Sequence, residues 1–221
     1  MKSWKSLLAA GAGGLAMLAM IFADGSAAQE APRPPEVTER VMKIVRERCA
    51  LCHGEQGEAS SSIYPRLAHQ NRRYLEKQLK NFRDGTRKSD VMNEQARDLT
   101  DEEIAGLAAW FASRPPKAHR IPRSKQDLAA VGRYIFHKGN KWSDIPPCAS
   151  CHGEQGEGNE RLPRLAGQHK RYVIAQLKNF HERKRTNDNA IMHTIAKNLT
   201  ELEIQAVALY VSGLAPEQKQ P

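Results

Sequence analysis

Long apolar runs, cysteine and methionine are all scarce in this 221-residue chain, and each scarcity excludes something. No stretch reaches the roughly 20 apolar residues that a bilayer-spanning helix needs. The one apolar segment, Leu7–Phe22, has sixteen residues and is broken by Gly11, Gly13 and Gly14. Lys2 and Lys5 lead it, and Ser26 and Ala28 stand where a signal peptidase reads its −3 and −1 positions. Residues 1–28 therefore read as a secretory signal cleaved near Ala28, which places the remaining chain in the periplasm. No alternating apolar–polar run of useful length is present, so a β-sheet protein is excluded and the fold class is all-α. No H-E-x-x-H or comparable spacing joins His69, His119, His137, His169 and His181, which are expected on the solvated surface. Nor does any nucleic-acid recognition motif accompany the net charge of +9, and export would keep the protein away from such a partner.

What is present is a long internal repeat. CHGEQGE occurs at Cys52–Glu58 and at Cys151–Glu157, PRLA at Pro65–Ala68 and Pro163–Ala166, and QLKNF at Gln78–Phe82 and Gln176–Phe180. The offset drifts only from 98 to 100 residues, too long for a solenoid unit and suited to a duplicated domain. Proline- and cation-rich Arg114–Arg123 lies between the copies and reads as a linker. The expected division is residues 29–118 and 119–221. Helical patterning recurs in both copies. Val41, Ile44 and Val45 share a face, as do Leu75, Leu79 and Phe82 with their counterparts Val173, Leu177 and Phe180. Thr100–Glu103 and Thr200–Glu203 have the form of capping boxes at the start of a last helix.

All four cysteines fall in two C-x-x-C-H motifs, Cys49–His53 and Cys148–His152, the attachment signature of c-type haem. Cysteines three apart on a helical turn can bond two vinyl groups of one porphyrin, and the next histidine is then held beneath the iron. A four-cysteine zinc site ordinarily has about 15–20 residues between its pairs, whereas here 95 intervene. Two disulfides would leave both histidines unexplained. Beyond the signal only Met42, Met92 and Met192 remain. Met92 follows His53 by 39 residues and Met192 follows His152 by 40, each just before the capped helix. The expected axial pairs are therefore His53 with Met92 and His152 with Met192, in two covalently bound haem c groups. His193 is the rival ligand in the second copy, and Met42 is assigned to core packing. Pro65 and Pro163 follow the histidines by 12 and 11 residues, so their carbonyls can accept the other ring N–H. A plain turn proline is the competing reading.

Taken together, the repeated C-x-x-C-H-G, P-R-L-A-x-Q, Q-L-K-N-F and M…L-T-x-x-E-I resemble the dihaem cytochrome c4 family over nearly the whole mature chain. That resemblance implies two tandem class I cytochrome c domains about a pseudo-twofold axis, with the haem propionates facing the interface. It also implies a periplasmic electron carrier, not an enzyme, serving a terminal oxidase or reductase. The alternative is a dihaem cytochrome subunit of a dehydrogenase complex, for instance one oxidising sulfide through a flavin. Two departures stand out: the charged stretch Lys138–Pro147 ahead of Cys148, and His69 where the second copy has Gly167. Residues 119–221 carry a net +6 against +2 for 29–118. An acidic redox partner is thus expected on the second half, with Arg183-Lys184-Arg185 as the docking patch, and peripheral association with membrane complexes is compatible with it.

Overall fold

The computed structural model describes residue 34 and residues 36–215; the signal segment 1–28 lies outside the described residues. Those residues form ten α-helices with short 3₁₀ and π turns, and their one strand-like pairing is an isolated bridge between Asn140 and Ile145. No helix among them is long and apolar enough to cross a membrane.

The first half comprises α1 (Glu39–Ile44), a π turn (Val45–Cys49), α2 (Ala50–His53), α3 (Arg72–Arg83), α4 (Asp90–Ala96) and α5 (Asp101–Ser113). The second comprises α6 (Gln126–Lys138), α7 (Ala149–His152), α8 (Lys170–His181), α9 (Ile191–Ala196) and α10 (Glu201–Gly213). Each has its own apolar core. In the first, Val41, Val45, Leu75, Ile104, Leu107 and Phe111 cluster, and Met42 is buried among them as a core filler. In the second, Ile135, Phe136, Val173, Leu177, Ile204 and Val207 form the equivalent cluster. Each such side chain contributes about 1.5–3 kcal/mol on burial.

The last helix of each half starts at a completed capping box. Thr100 Oγ1 accepts the Glu103 N–H and Glu103 accepts the Thr100 N–H; Thr200 and Glu203 repeat the pair. These helices meet the N-terminal part of their own half at close range, each time through a glycine. A Cβ on Gly106 would sit 2.7 Å from the Glu36 carbonyl oxygen, and one on Gly132 would sit 2.0 Å from that of Ala206. The glycine is on the last helix in one half and on the first helix in the other.

A reciprocal hydrogen-bond set joins the halves. Arg66 N–H donates to Gln168 Oε1 (2.9 Å) while Gln168 Nε2 donates to Arg66 O (3.0 Å). Arg164 N–H donates to Gln70 Oε1 (2.7 Å) while Gln70 Nε2 donates to Arg164 O (2.9 Å). Position i of one half meets j of the other and j meets i, the mark of a self-complementary interface about a twofold. The connecting segment Arg114–Arg123 is pinned along its course. Arg114 is buried against the Trp110 ring, Lys117 N–H donates to Glu58, and the Arg66 guanidinium reaches His119.

Candidate functional site

The π turn Val45–Cys49 and the short helix Ala50–His53 carry the first C-x-x-C-H; Ala149–His152 carries the second. None of the four thiols is in a disulfide. No three His, Cys, Asp or Glu side chains converge on a metal-binding point among the described residues, so the two cysteine pairs do not combine into one zinc centre. Burial pushes the Cys49 and Cys148 thiols up to about 11, so both remain neutral at ordinary pH until alkylated.

Both histidines are buried and held identically. His53 Nδ1 lies 3.0 Å from Pro65 O, and His152 Nδ1 lies 3.1 Å from Pro163 O. A carbonyl can only accept, so Nδ1 carries the hydrogen and Nε2 keeps its lone pair. Burial pulls both rings below the ordinary imidazole range, and the proline carbonyls offset this only in part. Each ring is thus neutral, oriented, and open at Nε2, which is the state an iron ligand requires.

Met92 and Met192 are half-buried and border the same cores as Cys49 and Cys148 respectively. The neighbouring residue has another task in both halves. Asn93 Nδ2 donates to Phe82 O, and His193 Nδ1 lies 2.9 Å from Phe180 O. His193 thus ties α9 to the end of α8 through Nδ1, as Asn93 ties α4 to α3.

Sequence reasoning missed a third group of residues. Arg87 donates to Gln78 (2.7 Å), to Gln176 (2.9 Å) and to the Tyr172 hydroxyl (3.1 Å). Arg185 donates to Gln176 (2.8 Å), to Gln78 (3.2 Å) and to the Tyr74 hydroxyl (3.0 Å). Each guanidinium also lies 4.5 Å over a phenylalanine ring, Phe82 or Phe180. Both arginines are buried, and neither forms an ion pair with a carboxylate among the described residues. Burial pushes the Tyr74 hydroxyl up, yet Arg185 and Arg87 more than offset it and leave it below the usual phenol range. The hydrogen-bond partners of these two buried cations are neutral, with the Asp188 carboxylate acting on Arg185 from farther off, so haem propionates would be suitable counter-charges here. The signal was in the repeat: Tyr74/Tyr172, Gln78/Gln176 and Arg87/Arg185 are all 98 apart.

Two expectations need correction. Arg185 is 8% exposed and belongs to this internal cluster, which leaves only Arg183 and Lys184 of the expected patch at the surface, with Lys184 paired to Glu182. Among the unassigned histidines only His181 is well exposed; His119 and His169 are half-buried where the halves meet, with His169 Nε2 donating to Ala59 O (2.9 Å).

Comparison with known proteins agrees with this geometry. A family model described as cytochrome c matches residues 129–215, and one described as cytochrome c oxidase, cbb3-type, subunit III matches residues 36–111. The chain is 36% identical over 179 residues to cytochrome c4 of Azotobacter vinelandii, covering 75% of this chain and 84% of that protein. It is 34% identical over 168 residues to a thiosulfate dehydrogenase electron acceptor of Thiomonas intermedia, covering 75% and 77%. Reduced recombinant cytochrome c4 from Pseudomonas stutzeri superposes with a TM-score of 0.75 at 33% identity, over 80% of this chain and 98% of that one. Two buried, carbonyl-tethered histidines beside paired cysteines, repeated in a helical tandem with these relatives, place the chain in the cytochrome c4 family: it carries two covalently bound haem c groups and is an electron-transfer protein, not an enzyme.

Proposed function

We propose that this chain is an exported periplasmic carrier in which Cys49, Cys52 and His53 with Met92 hold one haem, and Cys148, Cys151 and His152 with Met192 hold the other. The domains run from 29 to 118 and from 119 to 221. The observation that carries the reading is the duplicated His–Pro tether, which leaves one lone pair per half open beside a paired cysteine motif. The haem supplies a one-electron iron couple; the chain does the rest. The tethered histidines would hold the iron through Nε2, and the Met92 and Met192 thioethers would be the second ligands, a pairing that tends to raise the potential. Arg87 and Arg185 hold the propionates. Because each also contacts the opposite half, the two cofactor-binding ends would adjoin across a buried layer, which suits electron passage between them.

Reduced holoprotein should show two covalent haems per chain and no spectral change with carbon monoxide. Met92→Ala and Met192→Ala should each open one haem to carbon monoxide. If the parent protein already bound it, the assigned ligand would be wrong.

The donor or acceptor is proposed to be an acidic redox protein docking on the second half. In place of the arginine patch, support comes from exposed Arg133, Lys138 and Lys141 near exposed Tyr134 and Trp142, in the stretch leading to Cys148. Electron-transfer rates with the partner should fall as salt rises, since such steering is screened over about 8–10 Å. A rate independent of ionic strength would exclude this surface. A second reading, service as the acceptor of a dehydrogenase, draws on the Thiomonas intermedia relative; co-purification with such an enzyme would separate it from a free carrier.

A further inference from the structure

The pseudo-twofold is broken in charge at one place. In the first half, the start of α3 is neutralised: Arg72 pairs with Glu36 (2.9 Å) and Glu76 (3.0 Å), and Arg73 pairs across the interface with Glu160 (3.0 Å). The corresponding start of α8 has Lys170 and Arg171, but the neutralising carboxylates are gone. Ile174 stands where Glu76 does, four residues after the first cation. Ser61 stands where Glu160 does, nine residues after the second motif cysteine in each copy. Lys170 is instead pushed down by burial and by nearby Lys125.

These two cations line a cleft of about 450 Å³ together with Arg66, His119, Arg120 and His169, drawn from both halves and the connecting segment. Among the described residues Lys170, Arg171 and Arg120 have no ion-pair partner. Arg66 is the exception, paired with Glu58 at 3.1 Å behind the cleft. The His119 Nδ1 accepts from Arg66 (3.2 Å), so Nε2 carries the hydrogen, and that N–H has no hydrogen-bond partner, with Glu58 3.9 Å away. The Ser62 hydroxyl also borders the cleft.

We propose that this cleft is a binding site for a small tetrahedral oxyanion, an inorganic sulfate or phosphate, held by Lys170, Arg171 and Arg120, while the His119 N–H points away from it towards Glu58. Four cations facing one carboxylate leave the cleft strongly positive, and its low-dielectric walls strengthen the attraction. An ion there bridges both halves and the connecting segment, so binding also fastens the halves together. The site is separate from the haem-holding residues and does not depend on their assignment.

The test is calorimetric titration of the dihaem protein with sodium sulfate and with sodium phosphate, ionic strength being held constant with sodium chloride. One saturable site per chain is expected, with thermal unfolding raised by either oxyanion over chloride. Lys170→Gln with Arg171→Gln should weaken binding at least tenfold. Ser61→Glu and Ile174→Glu, which restore the carboxylates of the other half, should abolish it while haem content and visible spectra stay unchanged. Failure of either ion to bind saturably, an equal effect of chloride, or binding that survives all of these substitutions would overturn the proposal.

Discussion

Replacing Gln168 with alanine removes the largest amount of interface chemistry for the smallest change in shape. Gln168 is buried, as is Arg66 opposite it. Its amide accepts the Arg66 N–H at 2.9 Å and donates to the Arg66 carbonyl at 3.0 Å. The Oε1 atom accepts the His169 N–H as well, at 2.9 Å. Each hydrogen bond contributes a net ~0.5–1.5 kcal/mol, and a buried backbone group stripped of its partner costs about 1–3 kcal/mol. Partial relaxation brings the expected loss for Gln168→Ala to about 2–4 kcal/mol, a factor of roughly 30 to 1,000 at 1.4 kcal/mol per tenfold. The pseudo-twofold demands a matched result for Gln70→Ala, which strips Arg164 in the same way. Because both residues serve one interface, the double variant should lose less than the sum of the two. Denaturant unfolding followed separately at the haem absorption and by circular dichroism measures this. Loss of coupling appears as a transition that broadens or divides into two, since the halves have separate cores. If both single variants unfolded within about 0.5 kcal/mol of the parent, in one transition, these reciprocal bonds would not hold the halves together.

Two other outcomes are expected. Gly167 has φ +70°, and a Cβ added there would have no atom nearer than 3.7 Å, so Gly167→Ala meets backbone strain and no clash; it should cost about 1–2 kcal/mol, measured by equilibrium unfolding. Both His119 and His169 are held below the ordinary imidazole range, chiefly by burial, with Arg66 adding to it and Glu58 opposing. A folded state that disfavours the proton binds fewer protons than the unfolded chain, so stability is full above the unfolded value near 6.5 and falls as pH drops below it. Stability curves from pH 8 to 5 should show this decline, and His119→Gln with His169→Gln should flatten it; an unchanged slope would mean other groups are responsible.

Where interactions are local, the residues alone disclosed them. The capping boxes span four residues, the paired cysteines and their histidine span five, and the His–Pro tethers join residues 12 and 11 apart, so each could be read from spacing. The duplication itself then raised Met92 and Met192 above the remaining methionine. The hydrogen bond of His193 to Phe180, 13 residues earlier, has no sequence signature, and its structural twin is an asparagine.

Other features depended on which residues meet across the pseudo-twofold. A repeat shows that Arg87 and Arg185, or Gln70 and Gln168, are equivalent; it does not show that each contacts the other half. Those pairings join positions 85 to 111 apart in the chain, and only folding brings them within hydrogen-bond reach. The same fact explains the misplaced docking patch. A run of three cations reads as solvated surface because a buried charge is costly, and Arg185 escapes that cost through acceptors supplied by the opposite half. Residue pattern and spacing thus disclosed the fold class, the duplication and the two haem-attachment motifs. Tertiary structure decided which charges are internal, which carboxylates neutralise them, and where one start of a helix is left positive, because those depend on neighbours that no stretch of sequence contains.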